Sequence, residues 1–440
     1  MKQKLRIGCG AGFSGDRLEP ALILTEKGNL DYLVLECLAE RTIALAQKRK
    51  KQNPETGFDI LLERRIEGLL PLLLKHDTRL ISNMGAANPM AGAKKILEIA
   101  RSKGLKVKVA VVLGDDVASF VSGGEPSLEG NKALESYGPI ISANAYLGVS
   151  SILPALATDA QIILTGRVAD PSLFLAPMIH EFGWKEDDFD LLGKGTVLGH
   201  LLECAGQITG GYFADPLSKP IPDMHILGHP FVDVFSDGTG LISKVEGTGG
   251  AITLQTVKEQ LLYEVIDPSN YYTPDVIADF TSVGFEQVGK DLVKVTGGGG
   301  KSKPEQLKVS VGYHAGFLGE GEISYGGAHA LERAELAGEI IRKRIGTLFE
   351  KLRVDFIGMN SLHGDELSKN SNPYEVRLRV AGISREENLA RLIGEEVEAL
   401  YTNGPAGGGG ARKSIQEVIG VISTLLEREK IELGIQIFES

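Results

Sequence analysis

Short apolar runs alternate with amphipathic stretches through the first half of this chain, and that alternation limits its fold more than any other feature. The runs are Leu5–Ile7, Tyr32–Leu35, Arg79–Ser82, Val107–Leu113 and Ile162–Leu164. Helical patterns lie at 18–27, 39–50, 58–75, 90–103 and 144–157, with two more at 172–182 and 191–206. Strand–helix alternation implies βαβ units, right-handed crossovers and an α/β fold with a mainly parallel, Rossmann-like sheet. The texture changes after Pro216. Pro220, Pro222 and Pro230 crowd together, and a hairpin pattern follows, Val232–Phe235 and Leu241–Val245 around Ser236-Asp237-Gly238-Thr239-Gly240. The last third reads β-α-β-β-α-β, a ferredoxin-like order. Its segments are Leu307–Gly312, a helix at 328–352, Asp355–Gly358, Glu375–Val380, a helix at 384–400, and a terminal strand pair at 419–425 and 432–438. The breaks predict a Rossmann-like domain over 1–220 and an α+β domain over 221–440.

In an open parallel sheet, ligands bind beyond the carboxyl ends of the strands. Each apolar run here leads into a polar or glycine-rich loop. The first enters Gly8-Cys9-Gly10-Ala11-Gly12-Phe13-Ser14-Gly15-Asp16-Arg17, and the second enters Glu36-Cys37-Leu38-Ala39-Glu40-Arg41. The third enters Asn83-Met84-Gly85-Ala86-Ala87-Asn88-Pro89, the fourth Gly114-Asp115-Asp116, and the fifth Thr165-Gly166-Arg167-Val168-Ala169-Asp170-Pro171. Five such loops on one expected edge predict a site there.

Gly10, Gly12 and Gly15 fit G-x-G-x-x-G, and Glu36 ends the next run about 20 residues on, as in dinucleotide-binding chains. Asp16-Arg17 depart from that pattern where Rossmann helices turn apolar, and Pro20 falls in the first helical turns. The loop amides with Arg17 would hold a carboxylate or phosphate; Ser14 or Asp16 reads equally as a helix N-cap. Glu36 and Glu40 fit a general acid/base pair, or a sheet-edge acid and a helix-start acid. Arg167 suits a second anion, and Asp170 either joins it or caps the next helix. Asn83 and Asn88 belong to the same edge. His200, Glu203, Cys204 and Gln207 share a helical face that leads to Gly210 and Gly211. His200 or Glu203 fits proton transfer; a two-residue H-x-x-E pair does not make a metal site, so none is expected. Gly404-Pro405-Ala406-Gly407-Gly408-Gly409-Gly410-Ala411-Arg412 brings backbone close to a ligand or a neighbouring subunit, with Arg412 as its anion-binding residue, or is a plain turn. The 297–300 glycine run lacks P-loop spacing and reads as a flexible loop or lid.

Composition narrows the class. A net charge of −11 shows no basic footprint for nucleic acid. Cys9, Cys37 and Cys204 have no C-x-x-C spacing, against a disulfide framework or structural zinc. No signal peptide is visible, and no apolar run approaches the ~18 residues of a membrane span. A cytoplasmic location follows as the expectation.

Taken jointly, GAGFSGDR, ECLAERT, TGRVADPS, HLLECAGQITGGYFADP and NGPAGGGGAR resemble the acyclic terpene utilisation family of the AtuA type, over about residues 5 to 425. The resemblance implies bacterial catabolism of branched acyclic acids carried as CoA thioesters. Many relatives carry a further C-terminal ferredoxin-fold domain; little chain follows Arg412 here, so the expectation is the family core, with that domain absent or a separate small polypeptide.

The leading expectation is an enzyme of small branched acid or acyl-CoA catabolism, a lyase or hydratase moving a proton beside a thioester or carboxylate. Glu36, with His200 or Glu203, would move protons. The sequence singles out no cofactor with certainty, and a CoA thioester would be part of the substrate. An NAD-dependent oxidoreductase is the alternative, with Glu36 on the ribose hydroxyls; a non-catalytic subunit binding a small partner is another. The terminal strand pair offers an apolar edge, which predicts a homo-oligomer.

Overall fold

The computed structural model describes residues 2–368 and 371–440. The chain begins β1 (Lys4–Ala11), α1 (Glu19–Lys27), β2 (Tyr32–Leu35), α2 (Glu40–Gln52), α3 (Leu62–His76), β3 (Arg79–Ser82), α4 (Pro89–Ser102) and β4 (Lys108–Leu113). It continues with β5 (Ile140–Ala145), α5 (Val149–Leu156), β6 (Ile162–Leu164), α6 (Ser172–Phe182) and α7 (Phe189–Glu203). Next come β7 (Pro230–Phe235), β8 (Gly240–Lys244), α8 (Leu254–Leu262), β9 (Tyr271–Tyr272), β10 (Ile277–Asp279), β11 (Gly284–Gly289), β12 (Leu292–Thr296) and β13 (Gly299–Lys301). The long β14 (Gln306–Gly326) leads to α9 (Ala330–Ile345), β15 (Leu352–Ile357), β16 (Glu375–Ser384), α10 (Glu387–Asn403), β17 (Gly409–Glu427) and β18 (Gly434–Glu439). Two compact units divide the chain. One comprises Met1–Leu134, Ile140–Gly312 and Val421–Ser440, and the other Glu135–Pro139 and Tyr313–Gly420.

The first unit is built on a ten-stranded sheet in the order β11-β12-β8-β7-β1-β2-β3-β6-β4-β18. Its centre, from β1 to β4, is parallel. Every residue of β2 and β6 is buried, as in strands covered on both faces. Leu33, Leu35, Leu80, Val109, Val111 and Leu164 share one core with Leu69 and Leu73 of α3 and Ile96 of α4. Both flanks are antiparallel, so the sheet is mixed and not the mainly parallel one expected. The cause is the segment after Pro216. Val232, Val234 and Ile242 alternate with less buried neighbours, and β7 lays that apolar face beside β1 with Ile7 opposite Val232. The composition change at 215–225 therefore does not end the sheet.

Other expectations change with pairing. The expected helix at 144–157 starts only at Val149, because Ile140–Ala145 is strand β5. The terminal strands do not pair with each other: β18 extends the first sheet along β4, with Val112 opposite Ile435. The 297–300 run is no lid. A Cβ on Gly193 of α7 would lie 1.9 Å from the Gly299 carbonyl oxygen, so glycines on both sides let β13 and α7 touch backbone to backbone.

The second unit runs β14, α9, β15, β16, α10, β17, and its sheet order is β15-β16-β14-β17. Ala334, Ala337, Ile341 and Ile345 of α9 and Ile393, Val397 and Leu400 of α10 recur at helical spacing. They share a core with Val376, Leu378 and Val380, which alternate along β16. The intervening strand positions carry cross-strand ion pairs, among them Arg379–Asp355, Arg377–Glu322 and Arg379–Glu320. Among the described residues, no helix is long and apolar enough to cross a membrane.

Candidate active site

Strand register brings the expected loops together. Ala11 lies opposite Leu35, Leu35 opposite Ser82, Ser82 opposite Leu164, and Leu164 opposite Val111. This row crosses all five parallel strands. The residues just beyond it, Gly12, Glu36, Asn83 and Thr165, therefore begin their loops at one edge.

The glycine loop departs from the anion-cradle reading. Gly10 lies inside β1, where a Cβ would meet Leu35 Cδ2 at 2.7 Å and Ala21 Cβ at 3.0 Å. A Cβ on Gly12 would lie 2.5 Å from the carbonyl carbon of Cys204 and 2.7 Å from the Glu203 carbonyl oxygen. These glycines allow α1 and the end of α7 to approach β1. The Gly12 and Phe13 amides donate to Asp16 Oδ2 at 2.7 and 3.3 Å, so the chain's own carboxylate occupies them. Ser14 gives its carbonyl to Arg65. Gly15 packs on the Phe13 ring, and Arg17 donates to the His225 carbonyl at 3.0 Å. We expect Gly12→Ala to cost about 1–3 kcal/mol of stability, the usual range for overpacking, because backbone cannot swing aside as a side chain can. Urea unfolding of the variant measures this.

The second and fifth loops interlock. Glu36 is buried, and its Oε1 accepts from the Leu38 amide at 2.9 Å and Asn83 Nδ2 at 2.8 Å. Asn83 Oδ1 accepts from the Cys37 amide at 2.7 Å. Burial, reinforced by the charge of Asp170, pushes the Glu36 carboxyl well above its ordinary range, against the pull of Arg167. Arg167 is 1% exposed and its Nε, Nη1 and Nη2 all donate within the protein, which leaves none of these nitrogens for the expected grip on a free anion. Its guanidinium donates to the Leu38 and Val168 carbonyls and to Asp170, and stacks 4.5 Å from the Tyr146 ring centre. Arg167 is thus a positioning residue for Asp170, whose side chain keeps 37% of its surface exposed. Lost hydration nevertheless lifts the Asp170 carboxyl above its ordinary value despite Arg167. Beneath them, Asp115 accepts from the Arg167 amide and from Asn144 Nδ2, both at 2.9 Å; burial still raises it to about 6. Glu40 receives the Tyr146 hydroxyl and lies 3.2 Å from Lys308 Nζ. Although burial opposes it, that hydroxyl holds Glu40 below its ordinary value.

Helix α7 supplies a further acid. Its N-terminus is capped by Asp188, whose side chain accepts from the Leu191 amide. At its other end His200 Nδ1 lies 2.8 Å from Glu203 Oε1, and Nε2 lies 3.2 Å from the Leu261 carbonyl. A carbonyl only accepts, so Nε2 carries a proton and Nδ1 faces the carboxylate. Burial opposes charge on the ring, but Glu203 keeps His200 above its ordinary value. Burial raises Glu203 to about 7 against the pull of His200, with Asp170 and Glu264 adding to it. Glu203 Oε2 is buried and makes no hydrogen bond within the protein. The helix ends at Glu203, and Ala205 turns left-handed at φ 45°, so Gln207 leaves the expected face.

Asp170 lines a cavity of about 550 Å³ with Tyr146, Tyr271 and Lys308; Leu128, Leu307 and Leu425 give it an apolar wall. The Tyr271 ring packs tilted against His200, with ring centres 5.2 Å apart, and so ties that cavity to the His200–Glu203 pair. Sequence reasoning missed Tyr146, Tyr271 and Lys308, because they arrive from the segment after β5, from β9 and from β14, and not from a strand-end loop. Other expected residues lie elsewhere. Asn88 caps α4 through the Ala91 amide and donates to the Pro54 and Thr56 carbonyls. Gly210, at φ 107°, packs on Ile221, and the Gly211 amide donates to the Gly206 carbonyl. Arg412 is exposed at the start of β17, in the second unit. Among the described residues, no group of three or more His, Cys, Asp or Glu side chains is placed to hold a metal ion.

A sequence model of the family described as acyclic terpene utilisation family protein AtuA matches residues 5–437. No curated protein and no solved structure matches the chain.

Proposed function

We propose that this chain, which belongs to the acyclic terpene utilisation family, is an enzyme that moves a proton on a small branched acid or its acyl thioester, in a lyase- or hydratase-type step. The observation that carries this reading is the buried acid cluster behind one cavity. Asp170 forms part of the cavity wall, while Glu203 keeps an unpartnered oxygen beside His200. Acids whose surroundings raise their proton affinity toward neutrality suit proton transfer at neutral pH. Asp170 would exchange the proton with the substrate. Glu203 and His200 would hold it in reserve, Glu36 would keep Asp170 protonatable, and Lys308 would meet a carboxylate or thioester carbonyl at the cavity wall. The apolar wall would take the branched chain. The alternative of NAD chemistry has less support, since the Gly12 and Phe13 amides already hold Asp16 and Glu36 Oε1 already has two donors. The parallel centre of the first sheet supports a Rossmann-like reading, and the strand order of the second unit supports a ferredoxin-like one.

The reading has a pH signature. A glutamate raised to about 7 in the folded state is protonated there while the unfolded chain has already ionised. Its stabilising contribution is complete below the ordinary value of 4.5 and is lost as pH rises through about 7. His200, also raised, loses its contribution in the same direction above its ordinary 6.5. We therefore expect stability to fall between about pH 4.5 and 7 and turnover to show an inflection near 7. Glu203→Gln should flatten both. Unfolding midpoints and turnover across a pH series test this; profiles unchanged in the variant count against the reading.

A further inference from the structure

We propose that a second cavity, between the loop after β1, the start of α1, and α3, binds a phosphate-bearing group. It encloses about 560 Å³ and is lined by Arg17, Arg64, Arg65 and His225, with Asp16 and Glu19 as its carboxylates. None of these residues belongs to the acid cluster, so the inference does not rest on the proton-transfer reading.

Arg65 is the anchor. It is 1% exposed, and its Nη2 donates to the Ser14 and Asp16 carbonyls at 3.0 and 2.8 Å. Its Nε and Nη1 are buried and make no hydrogen bond within the protein. A buried cation is normally paired, and leaving its donors unmet costs free energy. The nearby Asp16 carboxylate accepts from the Gly12 and Phe13 amides instead. Arg17 donates through Nη1 to the Met224 and His225 carbonyls, which leave its charge uncompensated, and Arg64 adds an exposed third guanidinium on α3.

The start of α1 adds a second attraction. Its N-cap, Leu18, offers no side-chain acceptor, and Leu18, Glu19 and Pro20 line the cavity, Pro20 without an N–H of its own. The amide end of the helix dipole thus faces a cavity already rich in cations, a setting that favours an anion. Guanidiniums from two segments, Arg17 before α1 and Arg64 and Arg65 on α3, match the several oxygens of a phosphate or diphosphate better than the two of a carboxylate. The volume leaves room for the rest of a nucleotide-sized ligand.

Calorimetry on the full chain at low salt tests this with inorganic phosphate, pyrophosphate, ADP and succinate. We expect the phosphates to bind and succinate not to. Arg17→Ala and Arg64→Ala should each weaken binding at least about tenfold, a charge-assisted hydrogen bond's worth. Both side chains are exposed, so these variants remain informative if Arg65→Met fails to fold. ADP binding more tightly than phosphate would identify a nucleotide-type ligand; equal affinity would identify the free anion. The proposal is overturned if no phosphate binds at millimolar concentration, if succinate binds as well as pyrophosphate, or if the Arg17→Ala, Arg64→Ala double variant binds like the parent. Glu203→Gln should bind phosphate unchanged, which separates failure here from failure of the proton-transfer reading.

Discussion

Arg167→Met is expected to lower the stability of the protein by about 3–5 kcal/mol, the cost of removing one partner from a buried charged pair. The guanidinium is buried, and it ties the Leu38 and Val168 carbonyls to the Asp170 carboxylate. Methionine fills much of the volume but supplies none of those donors. It also removes the one cation that offsets the burial of both Glu36 and Asp170. The deficit should grow as pH rises, because protonating Asp170 removes the stranded charge. Urea unfolding checks the size, through a lower midpoint at unchanged slope. The Arg167→Met, Asp170→Asn double variant should recover part of the loss, because the carboxylate left without its partner has gone too. Additive losses would mean that the pair is not the reason for the burial.

Asp170→Asn is expected to lower turnover by about 10²–10⁴-fold, the usual contribution of a positioned acid or base. Asparagine keeps the shape and can still meet Arg167 through its carbonyl, so folding should survive and substrate affinity should change little. Glu203→Gln should lower turnover within the same range and should also remove the inflection near pH 7. A parallel rise in KM with turnover intact would instead make Asp170 a binding group.

Much of the strand-end site can be read from the sequence. Tyr32–Leu35 and Arg79–Ser82 keep their expected bounds because each is a short run closed by polar residues. The strand-end placement of Glu36 and the loop placement of Asp170 follow from the apolar runs that precede them, and the His200–Glu203 contact follows from helical spacing. The G-x-G-x-x-G pattern misleads because close packing demands the same glycines as a phosphate does: Gly10 yields to Leu35, and Gly12 to the backbone of Cys204. Strand β5 at Ile140–Ala145 goes unassigned, and its last two residues are read into the helix at 144–157, because a short apolar run fits either a strand or a buried helix. The pairing of β18 with β4, and the arrival of Tyr271 and Lys308 at Asp170, depend on contacts between distant segments, which periodicity does not encode. Arg65 escapes notice for a related reason: on a helical pattern it looks like any surface arginine, and only the fold buries it.

Solvent exchange tests the central claim most directly. Branched acids and their acyl thioesters, saturated and unsaturated, would be incubated with the protein in D2O near neutral pH and followed by NMR. The account predicts deuterium uptake at the carbon beside or conjugated to the carbonyl, falling by about 10²-fold or more in Asp170→Asn and Glu203→Gln. No uptake across the panel, or equal uptake in the folded Asp170→Asn variant, would contradict it.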